Sequence, residues 1–309
     1  MGRPEFPRNL AEFQARFSSE AACRDYLGQC RWPDGYCCPR CGHSGAYLLE
    51  ARSLRKCRSC GYQVSVTAGT VLHRSHTQLQ QWFRAAYLVT TMTPGISALQ
   101  LQRQLGLGRY ETAWTILQKL RRAMVRPERD RLTGTVEVDE AYVGGVEEGR
   151  RGGRKKGGKK VIVVGAVEAR GKGRGRVRLA IVEDVSAACL VPFVEGAVEK
   201  GTTILSDAWQ GYAPLKKRGY DHKPETQGNA KNAANLLPRI HLVFSNFKTW
   251  LLGTHHGIGH EHMTHYINEF VFRFNRRRTP MAAFQSLLGL TMVHRPTSYQ
   301  QLYAGESTG

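Results

Sequence analysis

The spacing of apolar positions changes along the chain, and the changes predict its elements. Near the amino end, NLAEFQARFSSEAACRDYL carries Leu10, Phe13 and Phe17 at near-helical intervals, which predicts a small amphipathic packing helix within residues 8–30. From 77 to 124 three segments keep a helical pattern. They are TQLQQWFRAAYLVTTM, ISALQLQRQLG after the break at Pro94-Gly95, and YETAWTILQKLRRAM after the turn Gly106-Leu107-Gly108. The last two, short and joined by a glycine turn, have the outline of a helix-turn-helix. An ordinary helical hairpin whose Lys119, Arg121 and Arg122 are merely solvated would show the same pattern.

Beyond the Pro- and charge-rich passage VRPERDRLTG the period drops to two. TVEVDEAYVGG, KKVIVVGAVEA, GRVRLAIVEDV and GTTILSDAWQGY read as strands bounded by Gly, with SAACLVPFVEGAVEK as a helix between the third and fourth. Three strands on short loops, then a helix and a further strand, predict an α/β fold: a mixed sheet with flanking helices. Between the first two strands, EEGRRGGRKKGGKK has no apolar residue and cannot fold alone. It reads as a solvated loop or as one that closes on phosphates. The expected divisions are a helical segment over 1–34, a cysteine-rich stretch over 35–75, a helical region over 76–126, the mixed-sheet domain over 133–290 and a tail over 291–309.

Charge narrows the partners. Forty-five Lys and Arg against 25 Asp and Glu leave a net +20 on 309 residues, which points to a polyanion, nucleic acid before an anionic membrane surface. No apolar run approaches the roughly 20 residues that span a bilayer, and the amino terminus has no signal-peptide core, so a cytoplasmic protein is expected. Of eight cysteines, Cys38 and Cys41 form one C-x-x-C, and Cys57 and Cys60 a second. That spacing suits a structural zinc ribbon, with Gly42 and Gly61 permitting the bend at each knuckle. Cys37, beside Cys38, competes as a ligand.

Acids stand where a strand should be apolar. Val136 and Val138 alternate with Glu137 and Asp139, so the two acids share one face of the first strand and the valines the other. Asp207 ends the strand TTILSD, just before Trp209 and Gly211. Two carboxylates on neighbouring strands of a very basic protein suit Mg²⁺, and two such ions about 4 Å apart serve phosphoryl transfer. Either acid alone is more often a simple strand-end residue.

The order of these parts, with VEVDEAYVGG, ILSDAWQGY and GTHHGIGHEHMTHYINEFVFRFNRR, resembles bacterial insertion-sequence transposases that join a zinc ribbon to a ribonuclease-H-like DDE catalytic domain, over roughly residues 10 to 290. The resemblance implies Asp139 and Asp207 as the first two acids. For the third place it implies a Glu seven residues before a Lys; here Lys248 is present and His241 stands where the Glu would be. On a helix the two share a face. An imidazole can ligate Mn²⁺ or Mg²⁺, orient water or act as a base, and Lys248 would meet a phosphate. Glu269 and Asn246 are the rivals, Glu269 with an i,i+4 pairing to Arg273 as its simpler reading. Glu140 should point to the other side of the strand. His255, His256, His260, His262 and His265 read as polar contacts in a loop near DNA. Trp209 and Tyr212 are candidates for stacking on an unpaired base, or for local packing.

The family's implied activity is metal-dependent cleavage and strand transfer at terminal inverted repeats, with DNA ends and target as partners, Zn²⁺ as structural ion and Mg²⁺ or Mn²⁺ as catalytic one. A synaptic homodimer or higher oligomer, nucleoid-associated in a bacterial cytoplasm, goes with it. A DNA-binding regulator derived from an inactive transposase, or a nuclease of the same fold, remains an alternative.

Overall fold

The computed structural model describes residues 4–126, 128–144, 160–225, 236–256 and 258–303. Of the basic run 147–160, only Lys160 falls among them. The chain forms two compact units, residues 1–126 with 276–309, and residues 127–275. In chain order the first unit opens with α1 (Leu10–Arg16), α2 (Glu20–Arg31), β1 (Ala46–Leu49), β2 (Leu54–Cys57), β3 (Gln63–Val64), α3 (Leu79–Thr91), α4 (Ala98–Leu105) and α5 (Tyr110–Ala123). The second holds β4 (Thr135–Val143), β5 (Val161–Arg170), β6 (Gly173–Val182), α6 (Ala187–Ala197), β7 (Thr203–Asp207), β8 (Asp221–Glu225), α7 (Pro238–His255) and α8 (Met263–Asn275). The chain then returns to the first unit with α9 (Pro280–Val293) and α10 (Tyr299–Tyr303).

In the first unit β1, β2 and β3 form an antiparallel sheet, and the helices close on aromatic side chains. Phe284 of α9 lies with its ring centroid 5.5 Å from Phe13, 5.7 Å from Phe17, and 6.1 Å from both Phe83 and Tyr87. Residues 276–290, which the strand and helix pattern assigned to the mixed-sheet domain, therefore belong with the amino-terminal helices: α9 buries its apolar side chains there. Helix α3 starts without a side-chain cap from its own Gln78. Glu20 of α2 supplies it instead, accepting from the backbone N–H of Leu79 at 2.9 Å and Gln80 at 2.8 Å.

Helices α4 and α5 form the predicted helical pair. Ser97 caps α4, and Gly106, at φ 62°, ends it. The basic residues at the end of α5 are not a solvated face, however. Arg121 is wholly buried, and burial holds the Lys119 ammonium below its usual range. What α5 exposes is its amino end, Arg109, Tyr110 and Glu111. In a helix-turn-helix that is the end whose residues reach base edges.

The second unit is built on a five-stranded sheet in the order β6-β5-β4-β7-β8. β4, β5 and β6 pair antiparallel, whereas β7 lies parallel to β4 and β8 parallel to β7. This is the ribonuclease-H-like mixed sheet that the sequence led us to expect. Its two faces carry separate cores. Val136, Val138 and Ile204 pack with Leu190, Val191 and Val194 of α6 on one side. On the other, Val143, Val163 and Leu179 pack with Ile240, Phe244 and Phe247 of α7 and Phe270 of α8. Each such side chain contributes about 1.5–3 kcal/mol, which fixes α7 face-down on the sheet.

Gly165 of β5 sets how close α7 comes. It is the cross-strand partner of Asp139, and a Cβ there would lie 2.8 Å from Ile240 Cδ1 and Leu179 Cδ2 and 2.9 Å from Phe244 Cζ. Gly165→Ala should cost about 1–3 kcal/mol through overpacking, measured as a lower urea midpoint with zinc content unchanged.

Glu168 braces the hairpin between β5 and β6. Buried, it accepts from Arg176 Nη2 at 2.6 Å, Arg176 Nε at 3.0 Å and the Arg176 backbone N–H at 2.9 Å. Burial alone would raise its carboxyl, but the Arg176 side chain and the backbone donors outweigh it and hold the group below the usual range. A depressed carboxyl contributes stability above its unfolded-state value of about 4.3 and loses it as pH falls through the folded value. Glu168→Gln should therefore lower the melting temperature at pH 7, by about 1.5–3 kcal/mol of stability, with the deficit shrinking below pH 4.

Candidate active site and metal centre

Two sites emerge, one in each unit. In the first, the sulfurs of Cys38, Cys41, Cys57 and Cys60 all lie within 4.8 Å of one another, with Cys38 3.7 Å from Cys60 and Cys41 3.6 Å from Cys57. A tetrahedral ion with metal–sulfur bonds near 2.3 Å has sulfurs about 3.8 Å apart, so the set fits Zn²⁺. Each knuckle closes on glycine. The Gly42 N–H reaches the Cys38 carbonyl and the Gly61 N–H the Cys57 carbonyl, at φ 74° and 69°. Burial pushes the Cys38 thiol up, but hydrogen bonds from the Arg40 and Cys41 backbone and the neighbouring thiols bring it down to about 6; at Cys41 the His43 backbone lowers the thiol but the same neighbours raise it to about 12, as expected of crowded thiols that cannot all ionise without a cation between them. Cys37 is exposed and its thiol donates to the Gly42 carbonyl at 3.6 Å, outside the set.

In the second unit the acids of β4 take separate tasks. Glu137, 1% exposed, faces α7, as do Asp139 and the apolar Ala141 and Val143 beyond. Glu137 Oε2 accepts from the backbone N–H of Arg239 at 2.8 Å and of Ile240 at 2.9 Å, and Oε1 from Arg239 Nη1 at 2.7 Å. Those N–H groups open α7, whose own N-cap, Leu237, gives no side-chain hydrogen bond. A carboxylate from β4 therefore caps the helix and suits its dipole. Arg239 extends further, from Nη2 to the Gly171 carbonyl at 2.7 Å and from Nε to that of Gly173 at 3.2 Å.

Two residues on, Asp139 meets His241, with Nε2 3.0 Å from Oδ2. An ionised carboxylate only accepts, so Nε2 then carries the proton. Burial first, then the Glu140 carboxylate, lifts Asp139 to about 6; Asp207 adds to the rise, while a backbone hydrogen bond and His241 oppose it. Asp207 comes from the next strand. β4 and β7 run in register from Thr135↔Thr203 to Glu137↔Leu205, and Asp139 and Asp207 each follow two residues past the last pair, on the same face of the sheet as Glu137 and Leu205. Asp207 Oδ1 accepts from the Trp209 N–H at 3.2 Å, so its carboxylate also shapes the turn that follows. The three donors do not close into one cluster. Among the described residues, only the four cysteines form a group of three or more His, Cys, Asp or Glu able to hold an ion.

Lys248 lies on α7, roughly 10 Å along the axis from His241. Partial desolvation, then the neighbouring charge of Lys160, lowers its ammonium. Glu140 points to the opposite face, where Tyr212 donates to its Oε2 at 2.9 Å. The rivals for the third place lie elsewhere. Asn246 is exposed on α7. Glu269 is wholly buried in α8 and ion-paired with Arg273 at 3.4 Å.

Packing decides between the two readings left open for the aromatic side chains and revises the one for two of the histidines. Tyr212 is completely buried, and Trp209 is half-buried with its Nε1 bonded to the Val185 carbonyl at 2.7 Å, so Tyr212 serves local packing and presents no face to a base. His255 is partly buried and packs edge-on against Trp250 and Tyr266, and His265 is buried, while His256 and His260 are exposed. The sequence reading assigned no partner to Glu137 or Arg239. Their signal was present: an acid on the same strand face as a buried run must find a donor, and Leu237, just before Pro238, has no side chain that can cap a helix.

Comparison with known proteins finds matches for both units. Residues 131–275 match the ISXO2-like transposase domain, and residues 18–63 match the transposase zinc-ribbon domain, a span that takes in α2. An uncharacterised protein in the transposable element ISH50 of Halobacterium salinarum is 26% identical over 284 residues, covering 85% of this chain and 94% of that protein. The four-cysteine stretch and the mixed-sheet unit are thus each similar to a domain of transposases. Such domains imply DNA as the partner. No described helix is long and apolar enough to cross a membrane.

Cys60→Ala should leave bound zinc well below one ion per chain and make the ribbon's amides exchange freely, whereas Cys37→Ser should keep the full complement. Metal analysis with hydrogen exchange reads both.

Proposed function

We propose that the second unit cuts and joins DNA strands at the ends of an insertion sequence, with Asp139, Asp207 and His241 as the residues that hold Mg²⁺ or Mn²⁺. The observation that carries the reading is the contact between Asp139 and His241 of the helix above it, with Asp207 on the adjacent parallel strand. The donor chemistry fits: two hard carboxylates and one imidazole suit these ions, and crowded acid that lifts Asp139 calls for a cation. Bound there, the ions would activate the attacking oxygen and stabilise the leaving one.

The chain's own groups supply the rest. Lys248 and Lys160 form a positive edge for the phosphates flanking the attacked one. The zinc ribbon and the exposed amino end of α5 hold the terminal repeats, and the net +20 supplies grip without sequence preference. Hydrolysis of one phosphodiester frees a 3′-hydroxyl, and attack of that hydroxyl on target DNA joins the strands. Each step makes one P–O bond and breaks another, so one site serves both. Two ends and one target call for a synaptic dimer or larger assembly acting on the bacterial nucleoid.

Histidine in place of the third carboxylate favours a second reading, a DNA-binding regulator built on an inactive domain. Strand transfer on end-containing DNA, with Mg²⁺ and with Mn²⁺, separates them. Asp139→Asn and Asp207→Asn should each lower joining by on the order of 10³-fold or more with end binding kept, and His241→Ala should lower it too. An unmodified protein that binds ends but joins nothing would favour the regulator; cleavage without joining would indicate a nuclease.

A further inference from the structure

The pair Asp139 and His241 is held in contact by residues one step removed from both. Helix α7 lies on the sheet through Ile240, Val243, Phe244 and Phe247, but apolar contacts of this kind permit sliding along the strand. Polar contacts at the amino end of the helix forbid it. Glu137 and Asp139 are two residues apart on β4, and the groups they meet, Arg239 with Ile240 and then His241, follow one another within the first turn of α7. Strand and helix are thus pinned side by side at one height. The pin is buried at Glu137, and Arg239 fastens it to a second place, the carbonyls of Gly171 and Gly173.

We propose that Glu137 is a positioning residue, whose buried carboxylate caps α7 and grips Arg239 so that His241 is set against Asp139. The proposal rests on the reading of that pair as part of the phosphoryl-transfer site. An ordinary buried ion pair would add stability, or none, wherever it lay. This one ties down the turn that bears His241, and it sits on the strand that bears Asp139. Its loss should therefore separate the two even where the fold survives.

The test uses full-length, zinc-loaded protein with ¹⁵N-labelled histidine. In the unmodified chain, Asp139→Asn should shift the ring nitrogen resonances of His241, which defines a coupling between the two residues. In a Glu137→Gln background that shift should vanish, with circular dichroism, zinc content and DNA-end binding retained. Joining at saturating Mn²⁺ should fall about 10–100-fold, the range for partners behind a metal ligand. If Glu137→Gln does not fold, Glu137→Asp carries the test: it keeps the charge and shortens the reach, so the coupling should still weaken. Coupling that survives in the folded Glu137 variants, whatever their melting temperatures, overturns the proposal. Glu137-dependent coupling in a protein that joins no strands would uphold the positioning role and refute the enzymatic reading.

Discussion

A carboxylate buried at the start of a helix governs the second unit. Placing Glu137 on the covered face of β4 costs several kcal/mol unless donors meet it. The donors are the first free N–H groups of α7 and the fork of Arg239. Each side of this contact resolves a problem of the other, since the acid needs donors and a helix that begins Leu237-Pro238 needs an acceptor. Once it forms, the height of α7 on the sheet is fixed, and with it the positions of His241 and Lys248.

The same device recurs in the first unit, where Glu20 of α2 caps α3. In both places a helix without a local capping side chain takes its acceptor from an element distant in sequence. Such a cap does more than stabilise a helix end. It locks two elements in register, which an apolar interface alone does poorly because it is non-directional.

Within the site, acid is concentrated on purpose of geometry rather than of folding. Asp139 is mostly covered, with Glu140 and Asp207 close enough to repel its charge, and its carboxyl rises to about 6 as a result. Gly165 opposite it lets α7 descend on the sheet, and Tyr212 occupies Glu140 from below. The aromatic and aliphatic layers on both faces hold these groups in place, as expected when a rigid sheet supports a site that does not stabilise itself.

Much of this was legible in the sequence, and the reason is periodicity. A period of two placed Glu137 and Asp139 on one face and Glu140 on the other, and paired C-x-x-C spacing with glycine bends gave the ribbon. The order of strands and the motifs around Asp139, Asp207 and Lys248 marked the family and its sheet. Spacing is local, however, and contacts are not. That Glu137 meets Arg239, 102 residues away, that Phe284 carries α9 back to the amino-terminal helices, and that Arg121 and Tyr212 are interior, were decided only by packing. A side chain's pattern tells which face it shares; which distant surface covers that face depends on how the whole chain closes.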